Sequence, residues 1–157
     1  MEISRRKFFI KTVQSVAVLA VTPALSTFLE SCNSITNPNS PQANLSTLTG
    51  TEANGYLTVN IDPNSSIAKT GNAAMINSSQ GTLLVDHPSG TTYNVLSSIC
   101  THQSCTIDSF DSASAQFVCN CHGSRFDVNG AVKQGPAGDP LTKYSSQFIN
   151  NQLIIKL

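Results

Sequence analysis

Two short stretches, Cys100-Thr101-His102-Gln103-Ser104-Cys105 and Cys119-Asn120-Cys121-His122-Gly123-Ser124, constrain this 157-residue chain more than anything else in it. Each supplies one thiol and one imidazole, and each carries a second cysteine. Any fold that uses them must bring two loops face to face. A structural zinc site could take two Cys and two His, but such sites present Cys pairs about two to four residues apart. Here the first pair is C-x-H, and zinc leaves the extra cysteine of each loop without a role. Covalent haem needs C-x-x-C-H, and Cys119-Asn120-Cys121-His122 is one residue short of it. Two disulfides alone would leave both histidines unexplained.

The pattern resembles the Rieske iron–sulfur family, in particular the branch that serves quinol-oxidising cytochrome bc complexes. The resemblance implies a 2Fe–2S cluster with Cys100 and Cys119 on one iron and His102 and His122 on the other. It also implies a Cys105–Cys121 disulfide that clamps the two loops. Ser124 matches a serine that donates to a cluster sulfide, and residues 135–138 (Gly135, Pro136, Ala137, Gly138) resemble the proline loop that covers the cluster. Three positions depart from the quinol-oxidising members: Gln103 stands for a leucine, Ser104 for a glycine, and Phe126 for a tyrosine whose hydroxyl reaches a ligand sulfur. Replacing two thiolates by neutral imidazoles makes the oxidised cluster about two charges less negative. Histidine-ligated centres therefore lie at roughly −150 to +300 mV, against about −400 mV for plant-type clusters. Imidazole ligands also offer a protonatable remote nitrogen, so such a centre suits the coupled electron and proton loss of a quinol.

The N-terminus carries the next signal. Ser4-Arg5-Arg6-Lys7-Phe8-Phe9-Ile10-Lys11 resembles a twin-arginine export signal and is followed by an apolar run over residues 12–29. Leu29-Glu30-Ser31-Cys32 looks like a lipoprotein processing site, with Cys32 as the lipidated residue. Cys32 is also the odd cysteine of five. An uncleaved anchor is the main alternative, with residues 12–29 marginal against the ~20 needed to span a bilayer, and full release is the third. Residues 1–31 are thus expected to be a signal or anchor, and the polar, aperiodic residues 32–53 a flexible tether.

From residue 54 to 157 the patterns are those of strands. Residues 56–61, 91–96 and 146–149 alternate, residues 73–77 and 82–86 flank a hairpin turn, and 152–157 form a final apolar strand. Pro88-Ser89-Gly90 is expected to turn the chain back, and Asn129-Gly130 to close a tight hairpin. No helical stripe is present. The expected fold is all-β, an antiparallel Rieske-type β-sandwich over residues 54–157 with a small cluster-binding insert at about 99–138.

Beyond Cys32 the chain has five basic and seven acidic residues, which gives no reason to expect nucleic-acid binding. His87, beside Asp86 and before a turn, reads as a solvated strand end. The function implied by the resemblance is an exported, membrane-tethered electron carrier. It would be the iron–sulfur subunit of a quinol:cytochrome c reductase-like complex on the outer face of the membrane, with cytochrome b, a c-type cytochrome and quinol as partners. The small Rieske subunit of a periplasmic molybdenum oxidase, or a stand-alone ferredoxin-like protein, is the alternative. A zinc-stabilised binding module is the rival from another class.

Overall fold

The computed structural model describes residues 42–157. These belong to the second of two units, Thr36–Leu157, the first being Met1–Ile35. The export signal, Cys32 and the first part of the expected tether therefore lie outside the described residues. In chain order the strands begin with β1 (Gln42–Asn44), β2 (Thr47–Leu48), β3 (Thr51–Ala53) and β4 (Tyr56–Asn60). A 3-10 turn (Ser66–Ala68) leads to β5 (Ala73–Ser78), β6 (Gly81–Ser89) and β7 (Thr92–Ser97). Next come β8 (Ser109–Asp111), β9 (Gln116–Cys119), β10 (Ser124–Asp127) and β11 (Val132–Gln134). The chain closes with β12 (Lys143–Tyr144), β13 (Ser146–Ile149) and β14 (Gln152–Lys156). No α-helix occurs among the described residues, and none there is long and apolar enough to cross a membrane.

The strands form three sheets, ordered β1-β8-β9-β10-β11, β12-β7-β6-β5-β2 and β13-β14-β4-β3. Every pairing is antiparallel except β2 with β5. The second sheet is buried on both faces. Leu83, Val85, Tyr93 and Val95 pack with Leu57, Val59, Leu153 and Ile155 of the third sheet. Leu84 and Leu96 pack instead with Phe110, Phe117 and Phe126 of the first. This explains the unbroken apolar run Leu83-Leu84-Val85, which a half-buried strand would have interrupted with polar residues. The first sheet is the insert with β1 added at its edge, and the other two form the sandwich.

Three expectations are corrected. Residues 42–53, expected to belong to the tether, supply three short strands that cover sheet edges. β1 pairs with β8, β2 with β5 and β3 with β4. The exposed residues of β3 have no alternation to reveal them, but Asn54 and Gly55 both take positive φ, +53° and +79°, and turn β3 into β4. Pro88 lies within β6, where the β6–β7 register shifts between Asp86 and Ser89. A proline lacking a ladder donor is tolerated at such an irregularity, so the turn comes after it, at Gly90. Finally, His87 is 5% exposed rather than solvated.

Candidate metal centre

Each motif loop is held at a strand end. The second is the β9–β10 turn: Cys119 pairs directly with Ser124, and the Gly123 N–H donates to the Cys119 carbonyl at 2.8 Å. Gly123 has φ +80°, which a side chain would strain. The first loop is closed by the Ile99–Thr106 bridge. Within it the Cys100 N–H donates to the Cys105 carbonyl (2.8 Å) and the Ser104 N–H to the Cys100 carbonyl (2.9 Å). A Cys105–Cys121 disulfide joins the two loops, with Cα atoms 6.6 Å apart.

This juxtaposition sorts the remaining donors. Cys100 and Cys119 are free thiols, 2% and 1% exposed. Burial, followed by the neighbouring Cys100 thiol, pushes the Cys119 thiol up, while the backbone N–H groups of Cys121 and His122 pull against it. A metal would displace that proton. His102 is half-buried and His122 exposed. Their Nδ1 atoms lie 3.3 Å apart, with the rings nearly perpendicular at 86°. With metal–nitrogen bonds of about 2.1 Å, two nitrogens on one tetrahedral ion sit about 3.4 Å apart.

The four donors form two pairs rather than one shell. Among the described residues, the one trio of ligand atoms lying mutually within 4.8 Å is Cys105, Cys119 and Cys121. Two of those sulfurs are already bonded to each other, so the trio is no metal site. A single zinc ion would need all four donors of Cys100, His102, Cys119 and His122 around one point. A thiol pair beside an imidazole pair fits two irons bridged by sulfide, and the donor set fits a 2Fe–2S cluster.

The surroundings hold the loops to a third segment. The Ser124 hydroxyl oxygen, fully buried, accepts the Ala137 N–H at 3.0 Å, leaving its proton free to donate. Thr101 Oγ1 donates to the Asp139 carbonyl at 2.6 Å, and Gln134 Nε2 to the Gly123 carbonyl at 3.2 Å. Gly135–Pro136 is a cis peptide. Phe126 is fully buried in the cluster of apolar side chains that includes Cys100 and Cys119. Below, Arg125 pairs with Asp111 at 3.0 Å. Burial raises the Asp111 carboxyl, but bonds from Arg125, Ser114 and Ala113 outweigh it and hold it below its ordinary value. The roles of Thr101 and Gln134 carried no signal in the sequence, because each reaches a backbone carbonyl remote along the chain.

Fold and site together define an all-β protein whose two thiols and two imidazoles suit an iron–sulfur centre. The family model of the Rieske [2Fe-2S] domain matches residues 59–145, and the chain belongs to that family. Its cofactor is a Rieske-type 2Fe–2S cluster. The chain is 44% identical over 55 residues to the cytochrome b6-f complex iron-sulfur subunit of Prochlorococcus marinus (strain MIT 9215), a stretch covering 35% of this chain and 30% of that one. It thus spans under a third of the length of that relative. Among solved structures, a cyanobacterial plasma membrane Rieske protein from Synechocystis PCC 6803 aligns with TM-score 0.49 and 31% identity, over 54% of this chain and 86% of its own. A chain from the oxygenase–ferredoxin complex of carbazole 1,9a-dioxygenase aligns with TM-score 0.52 and 18% identity, over 65% and 93%. That likeness is one of fold.

Proposed function

We propose that this protein is the membrane-tethered iron–sulfur subunit of a quinol:cytochrome c reductase-like complex, with Cys100 and Cys119 on one iron and His102 and His122 on the other. The observation that carries the reading is the pairing of donors: two buried thiols on the inside, an imidazole pair with His102 half-buried and His122 exposed, and a disulfide between the loops. When bound, the cluster supplies a one-electron couple with imidazole ligands that bear protons. The chain does the rest. Cys100 and Cys119 sit on the apolar side, where solvent is excluded, and His122 reaches the surface, so a donor or acceptor meets the imidazole end. Around that end Thr101, Gln103, Ser104 and Asn120 are exposed and uncharged. Two exposed acids adjoin them, Asp108 bonded to Asn120 and Asp139 bonded through its carbonyl to Thr101, so recognition there combines hydrogen bonding and shape with a weakly acidic rim. The polar Gln103 and Ser104, standing where quinol-oxidising relatives have leucine and glycine, favour one second reading, a carrier for a soluble or peripheral redox partner.

The export and anchoring readings stand on residues 1–32 and are part of the same proposal, as is a location on the extracytoplasmic face of the membrane. Alanine at Cys100, His102, Cys119 or His122 should abolish the Rieske EPR signal, since each removes one of four protein bonds to iron. A variant keeping a normal spectrum sinks the ligand assignment. Affinity purification of the full chain from membranes, with mass spectrometry of its N-terminus, tests the rest. Co-purification of a cytochrome b with quinol-reducible cluster supports the complex. Recovery in the soluble fraction, or reduction only by a soluble donor, supports the second reading.

A further inference from the structure

His87 is a buried titratable group that the cluster site does not use. Its backbone joins β6 to the loop before β5: the N–H donates to the Asn72 carbonyl at 3.0 Å and the carbonyl accepts the Gly71 N–H at 2.8 Å. Its ring lies flat on Tyr93, with centroids 4.3 Å apart and planes 16° from parallel. Nδ1 is 3.0 Å from the carbonyl oxygen of Ile67 in the 3-10 turn, and Nε2 is 2.8 Å from the carbonyl oxygen of Gly90 in the β6–β7 turn.

A carbonyl oxygen only accepts, whereas a neutral imidazole has one N–H and one lone pair. The neutral ring therefore satisfies one carbonyl and sets a lone pair against the other at hydrogen-bond distance. Changing tautomer only moves the conflict. Turning the ring over places C–H groups at both carbonyls and forfeits both bonds. One protonation state satisfies both oxygens. We propose that His87 is held as the imidazolium cation, so that a bound proton pins the 3-10 turn to the β6–β7 turn.

The surroundings favour the charge. Charge-assisted hydrogen bonds are about twice as strong as neutral ones, and the Tyr93 face attracts a cation. Both effects oppose the cost of desolvating the ring. Facing groups add no competing positive charge. From β7 comes the Tyr93 phenol, which burial pushes up and so keeps neutral, and from β13 Phe148, which packs on Tyr93. From β6 comes Asp86, the neighbouring acid, which burial pushes up to about 7 against Asn94, the Lys143 ammonium of β12 and His87. The 3-10 turn and β5 carry no charged side chain, and Lys69 after the turn is exposed.

Nitrogen-15 NMR of the histidine-labelled holoprotein near neutral pH tests this directly, with assignment through the His87 backbone. Both ring nitrogens should be protonated, each with a hydrogen-bonded N–H. An unprotonated nitrogen on either side overturns the proposal. A second measurement compares unfolding of wild type and His87→Gln across pH. Wild type should lose stability relative to the variant as pH rises, with a slope equivalent to up to about one extra proton bound by the folded state. A difference that grows with pH, as for a ring buried neutral, or no dependence at all, overturns it. If His87→Gln fails to fold, the spectrum of the wild type decides alone.

Discussion

Ser104 shows how one residue records the demands of the site. Its φ of +57° closes the first motif loop, where the resembling family has glycine. The left-handed conformation costs an L-residue roughly 1–2 kcal/mol, while glycine loses about 0.5–1 kcal/mol through extra freedom in the unfolded chain. The first effect wins, so Ser104→Gly should stabilise the protein by roughly 0.5–1 kcal/mol, read as a higher denaturant midpoint. Phe126 makes a different point. A hydroxyl donated to a ligand thiolate favours the more negative, reduced cluster. Phe126→Tyr should raise the midpoint potential; one net hydrogen bond of about 1 kcal/mol is roughly 40 mV for one electron. Protein-film voltammetry measures it, and an unchanged or lower potential means that residue 126 does not face the ligand sulfur.

At the scale of elements, two loops, one disulfide and one proline segment make the site, and their contributions separate. The disulfide joins residues 16 apart, and closing a loop of that size stabilises by roughly 3 kcal/mol. Cys105→Ser or Cys121→Ser should therefore leave ligation possible but loosen the loops: the EPR signal forms, then decays faster than in wild type on incubation. A signal as durable as that of wild type means that the hydrogen bond Ser124 accepts from Ala137, with those that Thr101 and Gln134 donate, already holds the loops. The β10–β11 hairpin is fixed in its own way. Asp127 Oδ1 accepts the N–H groups of Asn129 and Ala131 at 2.9 and 3.0 Å. Gly130 takes φ +88°, the local preference that makes Asn129-Gly130 readable as a turn, and a Cβ there would also lie 3.0 Å from the Leu141 carbonyl.

Across the whole molecule, the central sheet couples the sandwich to the insert through polar as well as apolar contacts. Asp86 accepts from Asn94 at 3.3 Å, and Lys143 donates to Asn94 and to Asn129 of the insert at 3.2 and 3.1 Å. Burial pushes Asp86 up to about 7, with Asn94, Lys143 and His87 only partly opposing it. Its Oδ1 has no hydrogen-bond partner among the described residues. A folded-state value above the unfolded one means that stability is greatest below the unfolded value of 3.8 and falls as pH rises toward about 7. The fall should be on the order of a few kcal/mol. Asp86→Asn should flatten it, as measured by chemical unfolding at a series of pH values. Asp111, held low, adds stability as pH rises through the bottom of that window, so the test is the difference between wild type and Asp86→Asn: a difference that rises with pH contradicts the assignment. The sequence by itself determined which loops carry the candidate ligands, because metal chemistry demands particular atoms at short spacings, and the longer strands, because alternation and turn residues act locally. Only the tertiary structure decided the rest. The polar strands β1–β3 exist because sheet edges needed partners for their backbone groups, β8 is too short to carry a period, and β9 buries three successive residues and so does not alternate. His87, read from the sequence as solvated, is buried because Ile67 and Gly90, 20 residues before it and three after it, turn their carbonyls toward one ring. That convergence is set by packing, and no local pattern encodes it.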